Sequence, residues 1–271
     1  MRRIRLTITL KKELVKKIDR EIDGIHFHNR SNAIERMLED KLHHQLFTKA
    51  VILGGEHEIN FEGKPISPLL LPVRNTTLIE YNINALKNSG IKELIISAGK
   101  WENQVKNYLN QIDPGLIIHY HSGLNGTASV LREAKQELEE TFLLINGAVF
   151  LENIDLEDIY HFHKEHKGLA TLTINTTADA TVLKSIIMQG ARVINFKEKP
   201  SGKDSSSLMN AGLYLFEPKS IELIPKGKIS LEDTFLPVLA RRNKLFGYHL
   251  SEKLIRFHNE KYYRQFINKT S

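Results

Sequence analysis

Three sets of residues in this chain have types and spacings that bear on chemistry. Arg3, Arg5 and Thr7 alternate with Ile4, Leu6, Ile8 and Leu10, so the spacing predicts a half-buried strand over 3–10 with its polar residues on one face. His161, His163 and His166 invite a metal. However, residues 155–167 read as an amphipathic helix, on which an HxH pair points its imidazoles well apart, so no metal site is expected there. Residues 142–150, FLLINGAVF, are apolar up to Asn146-Gly147 and again after it, as in a buried parallel strand closing in a tight turn. In open α/β sheets, ligands sit outside the carboxyl ends of such strands. Residues 50–55, AVILGG, are a second apolar strand, running into Gly54 and Gly55. A Gly-Gly pair after a strand is a weak signal alone.

The elements that must position these residues fall into two groups. With 271 residues the chain is long enough for a large domain and a small one, and 41% hydrophobic with 26% charged residues is ordinary for a soluble globular protein. There is no run of about twenty apolar residues and no apolar leader, so neither membrane insertion nor export is expected and the cytoplasm is the expected location. Zero cysteines exclude disulfides, thiolate metal sites and a cysteine nucleophile. The net charge of +6 is uneven, because residues 1–44 hold 11 Lys/Arg against 7 Asp/Glu and the remainder 27 against 25. The basic excess lies where a nucleic-acid contact would use it.

After the first strand, residues 11–23 place Leu14, Val15, Ile18 and Ile22 on one helical stripe that stops before Gly24. Ser31 is the expected N-cap of a second helix carrying Ala33, Ile34, Met37, Leu38 and Leu42. Some forty-four residues of strand, helix and helix cannot close a core alone, so a partner copy is expected. The 43–49 linker is short and poor in Gly and Pro. The expected domains are 1–44 and 50–271, the second containing a helix over 78–90 and strands over 91–99 and 169–176.

Residues 2–43 resemble a ribbon-helix-helix DNA-binding domain, on the strand pattern, the Leu10-x-x-x-Leu14 spacing and Asn29-Arg30-Ser31. The resemblance implies strands paired between two chains and laid in the major groove. It implies that Arg3, Arg5 and Thr7 reach base edges and that the N–H groups of Ser31 and Asn32 hold a phosphate.

The second part is similar to the sugar-nucleotide pyrophosphorylases, which join a sugar 1-phosphate to a nucleotide. The similarity runs in order through AVILGG, the loop His121 to Ala128 with Gly126-Thr127-Ala128, the strand ending at Gly147, Glu198-Lys199-Pro200, Asn210-Ala211-Gly212, and SLEDTFLPVL at 230–239. It implies an α/β fold with a mostly parallel mixed sheet. It also implies a ligand site drawn from Gly54, Gly55, His121, Gly126, Thr127, Gly147, Glu198, Lys199, Asn210 and Arg256. The family ends its central strand Asn-Gly-Asp, the Asp holding magnesium, and places a second Asp near the C-terminus. Here Ala148 and Arg256 stand at those positions, and the glycine loop has Glu56 and Glu58 in place of a triphosphate-binding Arg.

Loss of both metal carboxylates and of the loop Arg points to a retired active site. The expectation is a DNA-binding transcription regulator, a homodimer through its N-terminal strand with higher oligomers open, reading a two-fold related double-stranded operator. Its second domain would be a pseudoenzyme sensing a sugar nucleotide or sugar phosphate, with no catalytic residues, metal or cofactor. The alternatives are an architectural DNA-binding protein, or an active sugar-1-phosphate nucleotidyltransferase using Glu56, Glu58, Glu152 or Asp155 as substitute metal ligands.

Overall fold

The structure is a computed structural model that describes residues 7–24, 27–43, 47–55, 58–123, 126–176, 185–197, 208–251, 254–257 and 259–270. The chain divides into two compact units, Met1–Leu46 and Phe47–Ser271.

Among its described residues the first unit holds two helices, α1 (Lys12–Glu21) and α2 (Arg30–His43). The Arg30 guanidinium forks onto the Asp19 carboxylate, with Nε–Oδ1 at 2.6 Å and Nη2–Oδ2 at 2.9 Å, and joins the two helices. Helix α2 starts earlier than expected. Asn29, not Ser31, caps it, its Oδ1 accepting the Asn32 N–H at 2.9 Å, because an Asn side chain reaches the N–H three residues on as well as a Ser does. The Asn32 N–H proposed for a phosphate is thus already bonded within the chain. Residues 7–10, including Thr7, carry no strand pairing, while Arg3 and Arg5 lie outside the described residues.

The second unit is built on a nine-stranded sheet. Its strands are β1 (Lys49–Leu53), β2 (Glu93–Ser97), β3 (Ile117–Tyr120), β4 (Phe142–Asn146), β5 (Ala170–Thr176), β6 (Ser185–Gln189), β7 (Arg192–Lys197), β8 (Leu208–Phe216) and β9 (Leu245–His249), in the order β5-β9-β7-β6-β8-β4-β1-β2-β3. β3, β2, β1 and β4 are mutually parallel. β8 then joins β4 antiparallel, and of the remaining pairs only β5–β9 is parallel, so the expected parallel character belongs mainly to one half. Strands β1, β4 and β2 are buried because both faces are covered, which is why they read as continuous apolar runs. The chain steps from β1 outward to β2 and β3, then returns to the other side of β1 as β4. That reversal is a topological switch point, where an α/β sheet opens a crevice for ligands.

Among the described residues six α-helices complete the unit, α3 (Leu78–Asn88), α4 (Glu102–Ile112), α5 (Ser129–Glu133), α6 (Leu156–His166), α7 (Leu236–Arg241) and α8 (Glu260–Thr270). The main core stacks Phe142 on Phe216 at 5.7 Å and Phe216 on Phe235 at 5.9 Å between ring centroids. A second apolar cluster gathers Ile59, Leu71, Val73, Leu78, Phe150, Phe257, Tyr263 and Phe266.

Helix α6 is pinned to the sheet by a polar knot at Glu217, just past β8. His163, buried, meets Glu217 through Nε2 at 3.2 Å and Thr171 Oγ1 through Nδ1 at 2.8 Å. Lys164 Nζ donates to the same carboxylate at 2.6 Å, and the Thr141 hydroxyl also donates to it at 3.1 Å. The His163 bond first, then Lys164, pull the Glu217 carboxyl down to about 2 from the ordinary 4.5, against the effect of burial. A carboxyl held low in the folded state contributes stability fully above about 4.5, and that contribution drains away as pH falls towards about 2. Glu217→Gln is therefore expected to lower the urea midpoint at neutral pH and to flatten its fall between pH 4.5 and 2, measured by denaturation at a series of pH values.

Candidate functional site

At the switch point the ends of β1 and β4 come into direct contact because neither carries a side chain. A methyl on Gly147 would stand 2.7 Å from Gly54 Cα and 3.0 Å from the Leu53 carbonyl oxygen. In the gap the Gly147 N–H donates to Leu53 O at 2.8 Å and the Gly54 N–H to Ser97 O at 2.7 Å. Above these turns opens a cavity of about 300 Å³ lined by Leu53, Gly54, Gly55, Pro68, Thr127 and Asn146, with Ala148, Ser230, Leu231, Glu232 and Arg256 closing its other side.

Two charged side chains face each other in that cavity. Glu232 sits on a π-helical turn, Leu231–Phe235, entered through Ser230, whose Oγ accepts the Asp233 N–H at 3.1 Å. Its Oε1 accepts from the Tyr214 hydroxyl at 3.2 Å, the Asn210 amide at 3.3 Å and Arg256 Nη2 at 3.5 Å. Burial, then the Glu232 charge, push the Tyr214 phenol well above its usual range, so it remains a donor. Arg256 reaches the cavity because its two-residue strand, Ile255–Arg256, pairs antiparallel with Val149–Phe150. The next residue, Phe257, is fully buried against Phe150, Tyr263 and Phe266 and donates its N–H to Ala148 O at 2.8 Å. Gly212, at φ +89°, lies behind Asn146: a side chain there would run into Val149 and Asn146, and its N–H donates to Asn210 Oδ1 at 2.9 Å.

Of the residues expected at a ligand, Gly54, Gly55, Thr127 and Arg256 line the cavity. Gly147 lies behind it against Gly54, and Asn210 orients Glu232. Gly126, at φ +94°, packs on the Ile229 carbonyl, while the Ala128 N–H donates to that carbonyl and the Leu231 N–H to Thr127 Oγ1, so this loop is sewn to the Glu232 turn. His121 is turned away from the cavity lining and meets Glu137 at 3.2 Å. Glu198 and Lys199 lie outside the described residues. Glu232 and Tyr214 were missed by the sequence reading, although SLEDTFLPVL, which contains Glu232, was singled out; its acid was read as part of a helix.

The family resemblance implies a magnesium ion, and the donor set does not fit one. A hard cation takes about six oxygen ligands, whereas the cavity lining offers one carboxylate, already held by three donors of which one is the Arg256 guanidinium. The proposed substitutes do not supply more. Glu58 pairs with Lys100, Glu152 pairs with Arg74, Asp155 caps α6, and Glu56 is outside the described residues. Among the described residues no three His, Cys, Asp or Glu side chains gather for a metal. His163 is buried in its knot, His161 meets Glu157 and His166 bonds the Phe162 carbonyl.

Residues 64–254 match the nucleotidyl transferase family. The chain belongs to that family. Among its relatives are mannose-1-phosphate guanyltransferase beta-B of Xenopus laevis, 25% identical over 74% of this chain and 59% of the relative, and D-glycero-alpha-D-manno-heptose 1-phosphate guanylyltransferase of Aneurinibacillus thermoaerophilus, 28% identical over 66% of this chain and 78% of the relative. The chain thus spans under six tenths of the length of the Xenopus enzyme. The same fold is seen in HddC from Yersinia pseudotuberculosis complexed with GMP-PN, at a TM-score of 0.67, 18% identity, 83% of this chain and 100% of that one. It is seen again in a UDP-glucose pyrophosphorylase complexed with UDP-glucose, at 0.68, 17%, 83% and 98%.

These relatives overturn the reading of a DNA-binding transcription regulator with a catalytically silent pocket, because the nucleotidyltransferases that align across the second unit are enzymes. The expectation of a pseudoenzyme gave decisive weight to three missing side chains and too little to the uninterrupted frame around them. One objection to phosphate binding also weakens, since Glu58, read as facing incoming phosphates, is paired with Lys100. Among the described residues no helix is long and apolar enough to cross a membrane.

Gly147→Ala is expected to destabilise the nucleotidyltransferase unit by about 1–3 kcal/mol, because the new methyl meets backbone that cannot rotate away. The urea unfolding midpoint checks this; an unchanged midpoint contradicts the close approach of β1 and β4.

Proposed function

We propose that the protein is a sugar-1-phosphate nucleotidyltransferase. In the reaction an oxygen of the sugar 1-phosphate attacks the α-phosphorus of a nucleoside triphosphate, the bond to the β-phosphate bridge breaks, and pyrophosphate leaves with the released charge. The observation that carries this reading is the family match over residues 64–254, which brackets most of the cavity. The cavity has the features such a substrate needs. The glycine turn lets phosphate approach backbone closely, Arg256 offers a fixed cation where negative charge accumulates, and Glu232 accepts hydroxyl protons. The relatives named above act on mannose and heptose 1-phosphates with a guanylyl group, which makes GTP with a manno-configured sugar phosphate the first pair to try. Pyrophosphate release is expected from one pairing of GTP, UTP, ATP or dTTP with mannose or glucose 1-phosphate, and only when both substrates are present. No release from any pairing overturns the proposal.

The first unit supports a second reading, that it is a ribbon-helix-helix-type element joining two copies of the chain. Among its described residues only Ile18 and Ala33 are buried apolar side chains, while Ile8, Leu14 and Leu38 are exposed. Helices this poorly covered gain stability by burying those faces against another copy. Light scattering of the full chain is expected to give a dimer, and Leu14→Glu with Leu38→Glu a monomer. A monomeric parent contradicts the reading.

A further inference from the structure

The cavity holds one cation and one anion side by side, at the place where the resemblance implies a metal and the donor set does not fit one. We propose that Arg256 is the phosphate anchor of this cleft and Glu232 the acceptor for the neighbouring sugar hydroxyls, so that a sugar phosphate binds here without a divalent cation. This rests on the nucleotidyltransferase reading and specifies how the sugar phosphate is held.

The geometry separates the two roles. The Arg256 side chain is 15% exposed and that of Glu232 37% exposed, so the guanidinium is a recessed group and the carboxylate lies nearer solvent. A recessed guanidinium with a strand pairing on one side and the buried Phe257 on the other is fixed in direction, which suits its fork to the planar pair of oxygens that a phosphate presents. Glu232 is held at one oxygen, Oε1, by Asn210, Tyr214 and Arg256. A carboxylate has two oxygens and can only accept, so Oε2 can receive a hydroxyl proton donor. The two charges are 3.5 Å apart, a separation suited to a phosphate and a hydroxyl on one sugar. A bare phosphate would meet Glu232 as a repelling charge, whereas a sugar phosphate brings the donors that turn the same carboxylate into an attractive contact.

Titration calorimetry of the full-length chain tests this with glucose 1-phosphate, mannose 1-phosphate and inorganic phosphate, each in EDTA and in magnesium chloride. The expected result is that at least one hexose 1-phosphate binds equally well in both buffers and more tightly than inorganic phosphate. Arg256→Gln is expected to weaken it roughly 10- to 100-fold, as for loss of a charge-assisted hydrogen bond, and Arg256→Lys by less. Glu232→Gln is expected to strengthen inorganic phosphate while weakening the hexose phosphate, a crossing of preference that damage to the fold alone does not produce. Binding only in magnesium overturns the anchor while leaving the enzyme reading intact, as does an Arg256→Gln variant that binds like the parent. If Arg256→Gln fails to fold, the Glu232→Gln crossing and the EDTA comparison on the parent decide. Absence of hexose phosphate binding in both buffers, without pyrophosphate release, overturns both.

Discussion

The contact between Gly54 and Gly147 is the constraint from which the cleft follows. Parallel strands can end side by side and leave a crevice only if their terminal turns do not fill it, and here both turns are glycine at the point of contact. The Leu53 carbonyl and the Gly147 N–H close the gap with a backbone hydrogen bond. That bond aligns the two strand ends, and Asn146 and Ala148 are thereby delivered to the same rim as Leu53 and Gly55. A side chain on Gly147 would push the two strand ends apart, and one on Gly54 would run into Leu69 and the Ser97 carbonyl.

The opposite wall is organised by charge rather than by close packing. Glu232 draws together Asn210 and Tyr214 from β8 and Arg256 from the short strand beside Val149, so three side chains from two distant segments share one carboxylate oxygen. Removing a charge partner from such a partly buried set leaves the other uncompensated, which costs more than the pair contributes on balance. The network is therefore as much a positional device as a stabilising one. Burial, and then the Glu232 charge, keep the Tyr214 phenol protonated, and the network holds the guanidinium recessed in the cavity wall.

Much of this architecture was legible in the residues. The apolar runs ending at Gly54 and Gly147 identified two strand ends because periodicity and turn chemistry are local properties, whereas their adjacency was seen only in the sheet. Arg256 was identified by its position in a colinear frame. The roles of Tyr214 and Glu232 were not legible, since their partnership depends on side chains meeting across strands and a turn far apart in the chain. The N-cap at Asn29 was missed for a smaller reason, that two suitable capping residues lie two positions apart and local chemistry does not rank them. The larger error was one of inference from absence. Missing acids were read as missing function, although a cation that replaces a metal ligand changes how charge is balanced and does not abolish the need for the pocket.

The seating of Arg256 also ties the cleft to a remote part of the domain. Arg256 is seated beside Phe257, which packs on Tyr263 and Phe266 just after it in the chain and on Phe150 from far earlier in the domain. The cleft is thus electrically complete only once that distant contact has closed, so its charge depends on packing outside the cleft itself.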